Sequence, residues 1–171
     1  MSIKDLKERI KSLDNLNVKI GWFAETRYDD STPVAQVAQW QEYGTAKIPP
    51  RPFFRPCMDA NKGRWQQDMD KACKAVIDGK VGAKDALTAV GEGVKSDLQQ
   101  TISRVSSPPL SPVTLLLRQW RKEGQAINGT AVLRAISAVR KGVEAKGVSD
   151  QPLNDTGHMI ASVQVKVSDE S

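Results

Sequence analysis

One histidine and two cysteines in 171 residues leave almost nothing from which to build a metal centre or a catalytic triad. Cys57 and Cys73 have no Cys-x-x-Cys spacing and no histidine cluster beside them, so neither a zinc site nor a disulfide framework is suggested, and both read as reduced, partly buried thiols. His158 follows Gly157, and no Ser-His-Asp arrangement or metal-ligand spacing forms around it in the local sequence, which makes it a surface or interface residue. The acidic pairs Asp29 with Asp30 and Asp68 with Asp70 fall on a polar loop and a helix face, where carboxylates are ordinarily solvated. A glycine-rich phosphate cradle is missing too, because Gly91-Glu92-Gly93 lies inside a helical stripe instead of following a strand. No apolar run approaches the roughly 20 residues that cross a bilayer, and Met1-Ser2-Ile3-Lys4-Asp5 opens a polar amphipathic segment rather than a signal peptide. The expectation is a protein made and kept in a cytoplasm, not an enzyme, with no cofactor, no metal and no membrane contact.

Aromatics are 5 % and apolar residues 39 % of the chain against 26 % charged, a lean core for a length that suits one domain, residues 1–171. A lean core invites partners that supply the missing burial. The net charge of +5 is unevenly spread. Between Arg104 and Lys146 eight basic residues face only Glu123 and Glu144, a local +6 that leaves −1 for the remainder. Within that region Arg118, Arg121 and Lys122 surround Trp120, with Arg134, Arg140 and Lys141 further on. These six are candidates to face nucleic-acid phosphates; the competing reading is a solvated helix face with Trp120 in the core.

Periodicity organises the rest. Ile3, Leu6, Ile10 and Leu13 share one face of a short opening helix, and Val18, Ile20 and Trp22 alternate with Lys19, Gly21 and Phe23 as in a half-buried strand. Pro33 behind Thr32 starts a helix carrying Val34, Val37, Ala38 and Gln41, which Gly44 ends. Four prolines lie in the eight residues from Pro49 to Pro56, fixing φ and removing backbone donors, so residues 46–56 are expected as a stiff extended arm. Trp65, Met69, Cys73, Val76 and Ile77 predict a helix, and Leu87, Val90, Val94, Leu98, Ile102 and Val105 a longer one over about 83–105. Pro108, Pro109 and Pro112 then break the chain, before helical pieces over 113–121 and 131–145 that form a basic insertion spanning about 113–147. After a turn at 151–157, Met159, Ala161, Val163, Val165 and Val167 alternate as a closing strand. The expected fold is α+β: a small antiparallel sheet joining the N- and C-terminal strands, packed on a long central helix, with exposed edges that favour an oligomer.

Three short motifs recur in a familiar order. They are Glu42-Tyr43-Gly44-Thr45 leading to Pro49-Pro50-Arg51-Pro52-Phe53-Phe54-Arg55-Pro56, then Pro109-Leu110-Ser111-Pro112-Val113-Thr114, then Pro152-Leu153-Asn154-Asp155-Thr156-Gly157. In that order, after Ile20-Gly21-Trp22 and Val37-Ala38-Gln39-Trp40, the chain resembles the small virion-morphogenesis proteins of tailed bacteriophages, known as tail-completion, neck or minor tail components. The resemblance spans about residues 18–167. It departs at Pro50, where the family carries a small residue, and over 119–147, which is longer and more basic, so no role is carried over there. The resemblance implies a structural subunit of a homo-oligomeric ring, expected as a hexamer, in the virion neck or tail after assembly in the host cytoplasm. Its partners would be other neck, connector and tail-tube proteins, with genomic DNA passing through without sequence specificity. On that basis Glu42, Tyr43, Gly44 and Thr45 aim the arm, Arg51, Phe53, Phe54 and Arg55 dock on a neighbouring subunit, and Asp155, Thr156 and Gly157 set the start of the closing strand. The competing reading for all of them is packing within the subunit. A channel-lining role for Arg118 and Arg121 carries its own expectation, that changing both to alanine leaves assembly intact. The alternative function is a nucleic-acid-binding module using residues 104–146.

Overall fold

The computed structural model describes residues 2–169; Met1, the first residue of the polar segment read above, lies outside them. In chain order the elements are α1 (Ile3–Asp14), β1 (Leu16–Gly21), α2 (Val34–Tyr43), α3 (Phe54–Ile77), α4 (Ala83–Arg104), α5 (Pro112–Lys122), α6 (Gly129–Arg140), α7 (His158–Ala161) and β2 (Gln164–Asp169). β1 and β2 pair antiparallel, with Leu16 opposite Asp169 and Gly21 opposite Gln164, so the two ends of the chain close one two-stranded sheet. The class is α+β.

The period-two pattern sets the register. Val18 faces Val167 and Ile20 faces Val165, while Lys19 and Lys166 stand opposite each other on the other face. Two strands alone are marginal in water, and α4 supplies the missing layer. Its close approach depends on Gly91, where a Cβ would stand 2.5 Å from Val165 Cγ1 and 3.2 Å from Val18 Cγ1.

α3 runs beside α4 and carries Cys57 into the main core, where the preceding Phe53 joins Val34, Ala38, Leu98, Ile102, Leu153, Met159 and Val163. Trp22 closes this core edge-on against Phe53, with ring centroids 5.8 Å apart, and its indole N–H donates to Met159 O at 2.8 Å. A smaller cluster of Val76, Ala83 and Ala86 sits near the α3–α4 turn, packed by Leu13 and Leu16. Cys57 is buried, Cys73 is half-buried and both are free thiols.

Three boundaries differ from the sequence-based expectation. α3 starts at Phe54, eleven residues before Trp65, and absorbs Pro56 as its third residue; a proline is tolerated there because the first N–H groups of a helix have no intrahelical acceptor. The extended arm is therefore shorter than 46–56 and ends at Phe53. The closing strand begins at Gln164, not Met159. Gln99 donates to Ile160 O at 2.8 Å, Trp22 holds Met159 O, and Met159 and Val163 are buried, so tertiary contacts fix a helical turn where alternation suggested a strand. α6 stops at Arg140, ahead of Gly142 at φ +82°.

Candidate functional site

Gly44 ends α2 at φ +76°, and a Cβ on it would meet Ile48 O and Pro50 N at 2.9 Å each, so only glycine lets the chain fold back this tightly. Thr45 closes the loop that follows: its N–H donates to Ile48 O at 2.8 Å, and its hydroxyl accepts from Lys47 and Ile48 N–H at 3.2 and 3.1 Å. The arm then returns to α2, where Arg51 N–H donates to Gln41 O at 2.6 Å.

Glu42 locks the other end of the arm. Its carboxylate accepts from the N–H groups of Phe53 at 2.7 Å, Phe54 at 2.9 Å and Arg55 at 3.3 Å, and from Arg55 Nε at 2.8 Å. The first free donors of α3 thus end on one buried anion, a cap supplied from another helix. Burial by itself raises the Glu42 pKa; the Arg55 bond and the three backbone donors outweigh it and hold the group below its ordinary value. Arg55 is raised in turn, chiefly by its hydrogen bond to Glu42.

Two arginines join the distant motifs. Arg51, 5 % exposed, donates from Nε to Pro108 O at 2.8 Å, from Nη2 to Pro109 O at 3.1 Å and from Nη1 to Gln41 Oε1 at 3.3 Å. Arg118, 8 % exposed, spans the 149–154 loop: Nη1 donates to Ser149 O and Gln151 O at 2.9 Å each and to Asn154 O at 3.4 Å, and Nη2 to Pro152 O at 3.2 Å. Its Nε faces Asp155 Oδ1 at 3.3 Å, and Arg121 reaches Asp155 Oδ2 at 2.5 Å. Burial lowers the pKa of both buried arginines, of Arg51 with help from Arg118; Asp155 works in the opposite direction on Arg118.

These contacts correct several sequence-based assignments. Arg51 and Phe53 are not exposed for docking, because both are buried within the chain itself. Arg118 does not face phosphates or a channel; it is spent on backbone carbonyls, so its replacement by alanine is no longer expected to be harmless. Arg121 is held by Asp155, Lys122 donates to Gly147 O at 2.8 Å, and Arg134 lies over the Trp120 ring at 4.9 Å. Arg140 and Lys141 are exposed at the end of α6. Thr156 Oγ1 accepts from His158 N–H at 3.3 Å, and Gly157 at φ +75° leads into α7.

What faces outward at this corner is aromatic. Tyr43 is 64 % exposed, with the Arg55 guanidinium 5.1 Å above its ring. Phe54 and Met58, one helical turn apart on α3, are also exposed. Tyr43 and Phe54 line a shallow dimple of about 150 Å³ with Trp22, Ala35 and Gln39. Sequence reasoning missed Met58, whose i+4 spacing from Phe54 becomes a signal once α3 is known to start at Phe54. It placed Gln41 on α2 but not its contacts with Arg51, which are set by a fold-back that only Gly44 foretells.

Comparison with protein-family models, with curated proteins and with solved structures finds no match. Among the described residues no group of three or more His, Cys, Asp or Glu side chains is placed to hold a metal, and no helix is long and apolar enough to cross a membrane.

Proposed function

We propose that this chain is a structural subunit of the neck of a tailed bacteriophage, one copy of a ring that completes the tail, joins it to the head connector and leaves an opening for DNA. The supporting observation is that the three motifs behind the resemblance meet at one corner. Arg51 ties the proline arm to Pro108 and Pro109, and Arg118 ties α5 to the 149–154 loop. Distant segments cross-braced in this way hold Tyr43 and Phe54 in a fixed outward direction. A ring subunit needs that, since heterologous contacts close into a ring only when the rotation between neighbours is set. The half-buried sheet and the lean core support the same reading.

DNA in such an opening meets few free cations from this region. Arg118, Arg121, Lys122 and Arg134 have partners within the subunit, which leaves Arg140 and Lys141 of the six candidates, with the exposed Lys146, for weak, sequence-blind phosphate contact. A passage that gripped DNA tightly would impede its movement.

The test is electron microscopy of lysates from a phage carrying an early stop codon in this gene, with the protein supplied from a plasmid as control. Filled or leaking heads beside separate tails, rescued by the plasmid, are expected. Normally joined virions without the protein would overturn the neck role.

A further inference from the structure

The cleft between the proline arm and α5 holds more positive charge than its own carboxylate cancels. It measures about 600 Å³ and is lined by Lys47, Arg51, Arg118 and Arg121 against the single carboxylate of Asp155. Hydrogen bonds do not remove the imbalance. Buried Arg51 donates to Pro108 O, Pro109 O and Gln41 Oε1, and none of these acceptors carries a charge. Its pKa is lowered by burial and then by the nearby Arg118 cation. Arg118, also buried, shares Asp155 with the half-exposed Arg121. Asp30 interacts with Arg121 across space but does not line the cleft. Lys47 is exposed, and its ammonium has no partner among the described residues. The Gly44 fold-back sets Lys47 against the start of α5, where Ser111 and Thr114 line the cleft with their hydroxyl oxygens 2.8 Å apart. The positive end of the α5 dipole therefore adds to the same field. Ile48, Leu110, Leu117 and Ile127 supply apolar walls, which concentrate the field of the cations between them. Volumes of about 300 to 1,000 Å³ with apolar walls and a few convergent polar groups are those of ligand sites.

We propose that this cleft receives an aspartate or glutamate side chain carried on an apolar segment of a partner protein. Lys47 and Arg121 meet the carboxylate, and Ile48, Leu110, Leu117 and Ile127 take the apolar side chains beside it. Charge complementarity selects an anion, because a buried cation such as Arg51 is costly without one. The apolar walls select a carboxylate over a phosphate dianion, which loses more hydration on entering. The recess excludes duplex DNA, whose phosphates lie on a stiff convex surface and do not reach buried guanidinium groups. A side chain projecting from a peptide does. This partner site goes beyond the neck reading and does not rest on it.

The experiment uses the full chain as bait for a library of short random peptides displayed on yeast. Enriched peptides are expected to carry an aspartate or glutamate next to apolar residues. The best of them, made synthetically, should bind about 10-fold more weakly, or worse, when its acidic residue is replaced by the matching amide. The same loss is expected with Lys47→Glu and with Arg121→Ala, each shown by circular dichroism to fold. An absence of enrichment, or enriched peptides without an acidic residue, would overturn the proposal. So would peptide binding that ignores both protein variants. Inorganic phosphate or a short DNA duplex is tested alone by the same variants, and binding of either that Lys47→Glu abolishes, where the peptide shows none, would give the cleft to a different anion and overturn the proposal. The neck role stands or falls separately by the lysate experiment.

Discussion

Among the described residues the buried charged side chains are Glu42, Arg51 and Arg118, and each ends on backbone atoms of a segment far from it in sequence. A carboxylate accepting several charge-assisted bonds is worth more than its neutral amide by about 1 to 3 kcal/mol, so Glu42→Gln should lower stability by that amount in urea unfolding at pH 7. The sign of its pH dependence follows from the depressed pKa. Above the ordinary value of 4.5 the stabilisation is complete, and it is lost as pH falls through the lower folded value, so wild type should weaken on acidification while the Gln variant shows a shallower slope below about pH 5. Equal slopes would mean that another group governs the acid limb. Arg118→Ala should cost more, about 3 kcal/mol, because it leaves the buried Pro152 carbonyl and the half-buried carbonyls around it without their donor and unties the 149–154 loop from α5. Arg121→Ala, at an exposed pair, should cost less than about 1 kcal/mol. Denaturant midpoints of the two single variants separate these cases; near-equal losses would refute the bracing role of Arg118. The residue types were legible in the sequence, as the Arg51 and Glu42 neighbourhoods stood out. Their partners were not, because a carbonyl has no sequence signature and Arg118 meets its acceptors 31 to 36 positions away.

Elements with strong periodicity were legible to within a few residues: α1, β1, α2 and above all α4 follow their apolar spacing. α3 begins before its apolar spacing announces it, because proline density does not enforce extended chain throughout: Pro56 falls in the one helical turn where a missing N–H costs nothing. β2 is shorter than its pattern suggests because Met159, Ala161 and Val163 alternate like a strand while Trp22 and Gln99 take the carbonyls of the intervening turn. α4 offers a sharp test of how its sequence serves packing, since it holds two glycines two positions apart. Alanine is favoured over glycine in a helix interior by about 1 kcal/mol. At Gly93 a Cβ meets nothing within 4 Å, so Gly93→Ala should raise stability by about 0.5 to 1 kcal/mol. At Gly91 the same atom collides with Val165 and Val18, and forcing α4 off the sheet should lower stability by about 1 to 3 kcal/mol despite the better propensity. Thermal unfolding of both variants decides the matter, and a stabilised Gly91→Ala would mean that α4 does not press on the sheet as described.

At the scale of the molecule, the sequence made the closing of the chain ends into one sheet legible, because two alternating strands near the termini have few other partners available. It did not reveal that the three motifs form one corner, nor that stability is divided between a large core around Phe53, Leu98 and Ile102 and a small cluster at the far end. That division has a measurable consequence. α1 contains no buried residue and is held mainly through Leu13 and the Arg9 bond to Ile77, while α4 buries Leu98 and Ile102 in the main core. Local opening follows burial, so amides in α1 should exchange with solvent about 100-fold faster, or more, than the slowest amides of α4. Equal protection would show that α1 unfolds only with the whole.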